Sequence, residues 1–169
     1  MATRTTPKSS RAAVDAATPA TTPAAVDAVD TRYLETLVGY NARRAALSVI
    51  GLFLERMAVY GLKPVDFSVL SLITHNPGIT SSQLCSALSI LPPNLVGMIN
   101  ALARRGLIQR LPHPRDGRAL GLHLTQAGQA LMVEAEQTAS ELEDQATDRL
   151  SPAERQTLIR LLRKVYLAA

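Results

Sequence analysis

The sequence has few cysteines and no long apolar run. Cys85 is the single cysteine, which excludes a disulfide within the chain and leaves no thiolate cluster for zinc. Such cysteine usage is typical of a reducing compartment, so we expect a cytoplasmic protein. The longest nearly apolar run, residues 45–54, falls well short of the roughly 20 residues that a bilayer crossing needs. We therefore expect no membrane-spanning segment and no membrane partner.

The signatures of common enzymes and of metal sites are also missing. The sequence has no Gly-rich phosphate-binding loop, no nucleophile elbow and no paired carboxylates in an apolar setting. The three histidines, His75, His113 and His123, are scattered and lack companions at ligand spacing. These absences predict a protein that is not an enzyme and that holds neither a metal nor a cofactor.

The composition is that of one packed domain with a tail. Hydrophobic residues make up 47% of the 169 residues and charged residues 19%, so a sizeable core can form. Residues 1–29 are nearly all Ala, Thr, Pro, Ser or charged, which predicts a disordered tail before a single domain over residues 30–169. The formal net charge of +4 favours a polyanionic partner such as nucleic acid.

Helix start and stop signals divide the first part of this domain. Thr80 and Gln83 form a capping box, in which each side chain satisfies a free backbone donor at the start of a helix. Pro92 marks the first turn of the next helix, because proline lacks the backbone donor that later turns require. The predicted helices cover residues 30–60, about 64–75, 81–88 and about 92–105.

Two short strands and two further helices follow. Apolar residues alternate over residues 107–111 and 120–124, which predicts a hairpin with a basic loop at residues 112–118. Thr125 can cap the next helix, and Ser151 forms a capping box with Glu154 for the last one. We therefore predict a mainly α fold with a small two-stranded β-hairpin wing.

The order of these elements predicts a winged helix-turn-helix over residues 62–125, whose second motif helix enters the DNA major groove. On that helix, the side opposite the apolar residues is formed by Pro93, Gly97, Asn100 and Arg104, with Asn94 and Val96 flanking it. Gly97 would let the backbone approach DNA, either asparagine could pair with adenine, and Arg104 could meet a phosphate or guanine. The alternative is that this face is simply solvated.

The hairpin loop carries the second candidate DNA contact. Arg115 and Arg118 are separated by a turn-forming Asp-Gly pair, which suits insertion into the narrow, electronegative minor groove. We expect Asp116 to orient Arg118. The alternative is a surface hairpin with an incidental salt bridge.

Several of these motifs resemble the multiple-antibiotic-resistance regulator (MarR) family. The wing contains Asp-x-Arg at Asp116 and Arg118, and the strand-to-helix junction contains Leu-Thr-x-x-Gly at Leu124, Thr125 and Gly128. The stretches that resemble the family are LKPVDFSVLSLITHNPGITSSQLCSAL and INALARRGLIQRLPHPRDGRALGLHLTQAGQAL.

This resemblance implies a sequence-specific DNA-binding transcriptional regulator. Family members are homodimers whose N- and C-terminal helices, here residues 30–60 and 126–169, interlock as dimerisation helices. Two recognition helices then bind a pseudo-palindromic double-stranded DNA operator, and a small molecule usually relieves repression. The alternative from another class is a protein-interaction module, or an architectural DNA-binding module without an effector.

One part of the recognition helix departs from the family pattern. Members usually carry Ser, Thr and Arg early in this helix, whereas this chain has Pro92, Pro93 and Asn94, followed by Val96 and Gly97. The operator therefore does not follow from the resemblance, and we expect the wing arginines to contribute more of the affinity than usual.

The resemblance also implies a ligand crevice between the dimerisation helices and the DNA-binding lobe. Several members bind phenolic compounds or aromatic carboxylates there. The candidate ligand-binding residues are Tyr40, Asn41, Arg44 and His75. An arginine there could hold a carboxylate through paired hydrogen bonds. The alternative for each is a solvated or structural side chain.

Overall fold

The computed structural model describes residues 28–113 and 116–167, and the side chains of 113 and 116–119 are not part of that description. The chain is mostly helical with one two-stranded antiparallel sheet, which confirms the predicted fold class. The elements are α1 (Arg32–Glu35), α2 (Val38–Arg56), a 3-10 turn (Ala58–Tyr60), α3 (Pro64–His75), α4 (Ser81–Leu88), α5 (Pro92–Arg104), β1 (Ile108–His113), β2 (Asp116–Leu124), α6 (Gln126–Ala146) and α7 (Pro152–Tyr166).

The predicted single helix over residues 30–60 is wrong, because the chain breaks it at Leu37. This residue has an extended backbone with φ −91° and ψ 127°. The side-chain amide of Asn41 donates to the backbone carbonyls of Glu35 and Leu37 at 2.7 and 2.8 Å, so it replaces a backbone donor at the break. The helix also ends earlier than predicted, since the 3-10 turn Ala58–Tyr60 follows α2.

The predicted capping boxes are confirmed. The Thr80 hydroxyl accepts from the backbone N–H of Gln83 at 3.3 Å, and the Gln83 side chain accepts from the backbone N–H of Thr80 at 2.9 Å. The Ser151 hydroxyl and backbone N–H both donate to the Glu154 carboxylate, and these bonds hold the pKa of Glu154 below its usual value. Both helices therefore begin where their sequence signals place them.

The core lies where the helix-turn-helix packs against α6 and β2. Helices α3, α4 and α5 turn their apolar sides toward one another, and α2 lies against α6. Burial of these side chains is the main stabilising contribution to the fold. The largest buried side chains include Leu70, Ile73, Leu84, Leu95, Ile99, Leu102, Leu122 and Met132.

The β1–β2 hairpin is tied to the helix-turn-helix by a third short segment. Ile79 forms an isolated antiparallel bridge with Leu122, through backbone bonds of 2.9 Å from Gly78 N–H and from Leu122 N–H. A Cβ on Gly121 would come within 2.8 Å of the Gly78 carbonyl oxygen, so this crossing requires glycine. The sequence pattern did not predict this bridge.

The start of α6 packs directly on the chain that enters β1. The backbone N–H of Thr125 donates to the Leu107 carbonyl at 3.0 Å, and the Thr125 hydroxyl donates to the Gly106 carbonyl. That hydroxyl also accepts from the Gly128 N–H at 3.0 Å. Thr125 therefore caps α6 and anchors it to the end of the helix-turn-helix.

No single helix within residues 28–113 and 116–167 is long and apolar enough to cross a membrane. Helices α4 and α5 reach that length and hydrophobicity only together, with a bend of 115° between them.

Candidate nucleic-acid interface

Helix α5 presents one side to solvent. Leu95, Ile99 and Leu102 are buried, whereas the predicted residues Pro93, Asn94, Gly97 and Arg104 are exposed and Asn100 is half-buried. The structure therefore brings the five predicted residues onto the outward surface of one helix. A Cβ added at Gly97 would meet no other part of the described structure within 4 Å, so packing among these residues does not require glycine there.

Asn100 does not point freely outward, because it binds an arginine of the hairpin. The guanidinium Nη2 of Arg110, on β1, donates to the Asn100 Oδ1 at 2.7 Å. Arg110 is exposed beside α5, so this bond fixes a cation between the helix and the wing. Sequence reasoning missed Arg110, whose only signal was its place in the strand that follows the recognition helix.

The wing arginines are only partly covered by the structure. Arg115 lies outside the described residues. Asp116 and Arg118 fall in the first residues of β2, but their side chains lie outside the described part of the chain. The predicted contact between Asp116 and Arg118 therefore stays a prediction.

The C-terminal end of α5 is held by a second arginine. Arg105 donates to the backbone carbonyls of Gly61 and Tyr60 at 2.8 and 2.7 Å. The Tyr60 hydroxyl lies 3.0 Å from the Thr138 hydroxyl on α6. These bonds connect the end of the recognition helix to the segment before α3 and to α6, so they limit how far α5 can move independently.

A cavity of about 700 Å³ lies between α2, α3 and α6, away from the exposed face of α5. Phe53 and Phe67 meet edge to face on its wall, with ring centroids 5.6 Å apart. Glu136 receives the Ser71 hydroxyl at 3.1 Å and lies 3.0 Å from the Nε2 of His75. The cavity therefore combines an aromatic wall with a small polar cluster.

Only one of the four predicted ligand residues lines this cavity. His75 does, whereas Tyr40, Asn41 and Arg44 lie further toward the start of α2 and are not among its lining residues. Sequence reasoning missed Glu136, because residues 61 positions apart contact only after folding. The lining carries three carboxylates, and His75 is its sole basic side chain; the acidic residues are Glu136, Glu143 and Asp144.

Two helices expose apolar faces that no segment within residues 28–113 and 116–167 covers. Helix α7 has no buried residue, although its sequence carries a regular apolar stripe. Helix α2 buries only Phe53. Isolated exposed apolar residues are common, but a contiguous set on two helices marks an interaction surface. The exposed residues are Leu47, Ile50 and Leu54 on α2 and Leu158, Leu161, Leu162 and Val165 on α7.

The sequence of this chain is similar to those of known transcriptional regulators. A sequence model described as MarR family matches residues 60–119. A putative transcriptional regulatory protein for the hcr operon of Thauera aromatica is 32% identical over 130 residues, which cover 76% of this chain and 78% of that protein.

Solved structures show the same similarity. The transcriptional repressor CouR, bound to a 23-mer DNA duplex, is 36% identical with a TM-score of 0.77, covering 83% of this chain and all of that one. CouR bound to p-coumaroyl-CoA is 35% identical with a TM-score of 0.73, covering 82% of this chain and 97% of that one.

Proposed function

Since the chain belongs to the MarR family of DNA-binding transcriptional regulators, we propose that it is a homodimeric repressor that binds a pseudo-palindromic operator. A small aromatic or phenolic ligand releases the repressor from this DNA. The observation that carries this proposal is the exposed face of α5 beside the β1–β2 hairpin. The repressor CouR, to which the chain is similar, has been solved on a DNA duplex.

In this proposal α5 enters the major groove and the wing follows the backbone. Pro93, Asn94, Gly97 and Arg104 face the bases and the adjoining phosphates. The predicted wing residues Arg115, Asp116 and Arg118 keep their proposed minor-groove role.

The contact between Asn100 and Arg110 changes one proposed role. The Asn100 oxygen already accepts from Arg110, so we assign Asn100 to orienting that guanidinium rather than to reading adenine. Arg110 is exposed on the same side as α5 and adds a further phosphate contact. A guanidinium whose position is fixed before binding loses less side-chain entropy when the complex forms.

Removing Arg110 is expected to weaken DNA binding and to change its salt dependence. A duplex selected from a random pool serves as the probe. For Arg110→Ala, the slope of log affinity against log salt becomes shallower by about 0.9, because one fewer counterion is released. Arg118→Ala behaves in the same way. Asn100→Ala lowers affinity but keeps the slope, since the Arg110 charge remains.

Arg149→Ala is the matched control, because Arg149 is exposed in the connection between α6 and α7, outside the proposed interface. Its affinity and slope should equal those of the wild type. An unchanged slope for Arg110→Ala would remove Arg110 from the interface.

The dimer is proposed from the exposed faces of α2 and α7. These faces carry exposed apolar residues at helical spacing, and the described part of the chain does not bury them. A second copy can cover both, because a twofold axis pairs the same surface on each protomer. Two recognition helices would then be held at a fixed separation, as a pseudo-palindromic site requires.

The ligand is proposed to bind in the cavity between α2, α3 and α6. Phe53 and Phe67 offer an aromatic ring an apolar wall, and CouR, a similar protein, binds p-coumaroyl-CoA. The cluster of Ser71, His75 and Glu136 suits a ring hydroxyl, which can donate to the Glu136 carboxylate. Two of the three lining carboxylates disfavour a ligand carboxylate, whereas the third, Asp144, is paired with Arg155.

Glu136→Gln is expected to reduce the response to ligand without reducing DNA affinity. The amide keeps the size of the side chain but loses the charge that a phenol would bind. The concentration needed for half-release from DNA should rise about tenfold, the size of effect expected for a lost hydrogen bond to a charged group. Release is followed by fluorescence anisotropy with hydroxylated aromatic acids, their amides and their coenzyme A thioesters.

Arg44→Ala distinguishes the two ways of holding the ligand. Arg44 is exposed and lies outside the cavity lining, so the Glu136 proposal expects a normal response. Abolished release by the free acids in Arg44→Ala, with a normal response in Glu136→Gln, would instead support the carboxylate role predicted for Arg44. The roles of Tyr40 and Asn41 stay predictions.

A further inference from the structure

We infer that α5 recognises thymine in the operator through apolar contact between Val96 and the C5-methyl group of the base. This inference rests on the proposed DNA binding. Val96 is 50% exposed on α5, although its neighbour Leu95 is fully buried. Val96 lies next to Gly97 at the edge of the α5 face that is proposed to bind DNA, so its apolar side chain is available for contact with a base in the complex.

Asn94 is the one side chain with hydrogen-bonding groups in the first two turns of α5. Pro93 and Gly97 have no side-chain donor or acceptor, and the Asn100 oxygen is bound to Arg110. The first base-facing turns of α5 therefore present mainly apolar surface. Thymine is the one base whose major-groove edge carries an apolar group, so thymine is the base that this surface selects.

Gly97 explains how Val96 can reach that methyl group. A glycine in the middle of a helix lowers helix stability, yet among the described residues no other segment lies near enough to exclude a side chain at this position. The open side of Gly97 allows the helix backbone to approach the base edges closely. Val96, the adjacent residue, then comes within van der Waals reach of the groove floor.

Deoxyuridine provides a direct test, because it differs from thymidine only by the missing methyl group. A tight-binding duplex is selected from a random pool with wild-type protein, and each thymine is then replaced singly by deoxyuridine. At the thymine contacted by Val96 in each half-site, wild-type affinity should fall about fourfold, as expected for one buried methyl group. Thymines elsewhere in the duplex are the internal controls.

The variant Val96→Ala should bind thymine and uracil duplexes equally at that position. Val96→Thr is the matched control, because it keeps one γ-methyl group and nearly the same size, and should retain part of the preference. The ratio of the two affinities is measured within each variant, so a general loss of affinity or stability does not imitate the result. Circular dichroism confirms that both variants fold.

The possible failures are distinguishable. Selected duplexes that bind well but tolerate deoxyuridine at every thymine would overturn the inference and leave the DNA-binding proposal standing. The inference is also overturned if Val96→Ala keeps the fourfold preference. If no duplex is enriched from the pool, the proposed function itself fails.

Discussion

Gly128→Ala is expected to lower the free energy of unfolding by about 3 kcal/mol, the upper part of the range for an overpacked site. A Cβ at this position would overlap the Leu107 carbonyl oxygen, well inside van der Waals contact. The obstacle is backbone, so no side-chain rotation relieves it. Moving α6 away would break the bond from the Thr125 N–H to the same carbonyl. Urea denaturation, followed by circular dichroism, measures the change.

Gly97→Ala is the matched control for this prediction. Both glycines lie in helices, but a Cβ at Gly97 meets no atom within 4 Å. Alanine there should raise stability by roughly 0.5–1 kcal/mol, the usual gain on replacing a glycine inside a helix. Protein concentration is kept the same for both variants, because the stability of a dimer depends on it. Equal stability changes at the two positions would contradict the proposed contact with Leu107.

The start of α6 also shows what a sequence pattern can and cannot predict. Thr125 was predicted as a cap, because a threonine before an apolar helical pattern is a local signal. The resemblance singled out Gly128, but the reason for a glycine lies in Leu107, a residue of another segment. Local chemistry predicts where a helix begins, and only the packed structure shows which neighbour a residue must accommodate.

The prediction of one helix over residues 30–60 was wrong because the break in it also depends on the folded conformation. The apolar stripe continues through Leu37, so hydrophobic periodicity gives no sign of a break. The break depends on Asn41, whose side-chain amide donates to the carbonyls of Glu35 and Leu37. Short polar side chains compete with helical backbone bonds in this way, and the outcome depends on conformation rather than on composition.

In the candidate sites, too, features within one element were predictable and contacts between elements were not. The outward residues of α5 followed from helical spacing, because one element contains them all. The pairs that cross between elements did not follow from it; they are Arg110 with Asn100, and His75 with Glu136. Three of the four predicted ligand residues lie on α2, whereas the cavity takes its polar groups, His75 among them, from α3 and α6.

Leu162→Glu is expected to convert the proposed dimer to monomers and to lower operator affinity at least a hundredfold. Leu162 is 40% exposed on α7 within the apolar face proposed as the interface. A twofold interface contains each substitution twice, so two carboxylates would be buried without partners. Light scattering after gel filtration should give a mass near 18.1 kDa, the mass of one chain, whereas the wild type should give twice that value.

The loss of affinity follows from the loss of the second half-site. In a dimer, binding of one recognition helix holds the other at a high effective concentration, which typically strengthens binding 10² to 10⁴-fold. Val59→Glu is the control, because Val59 is exposed in the 3-10 turn before α3 and lies outside both apolar faces. It places the same charge on the surface and should stay dimeric. Because Leu162 is not among the buried residues of the described part of the chain, the monomer should keep its helical circular dichroism. A folded Leu162→Glu dimer that binds DNA normally would exclude α7 from the interface.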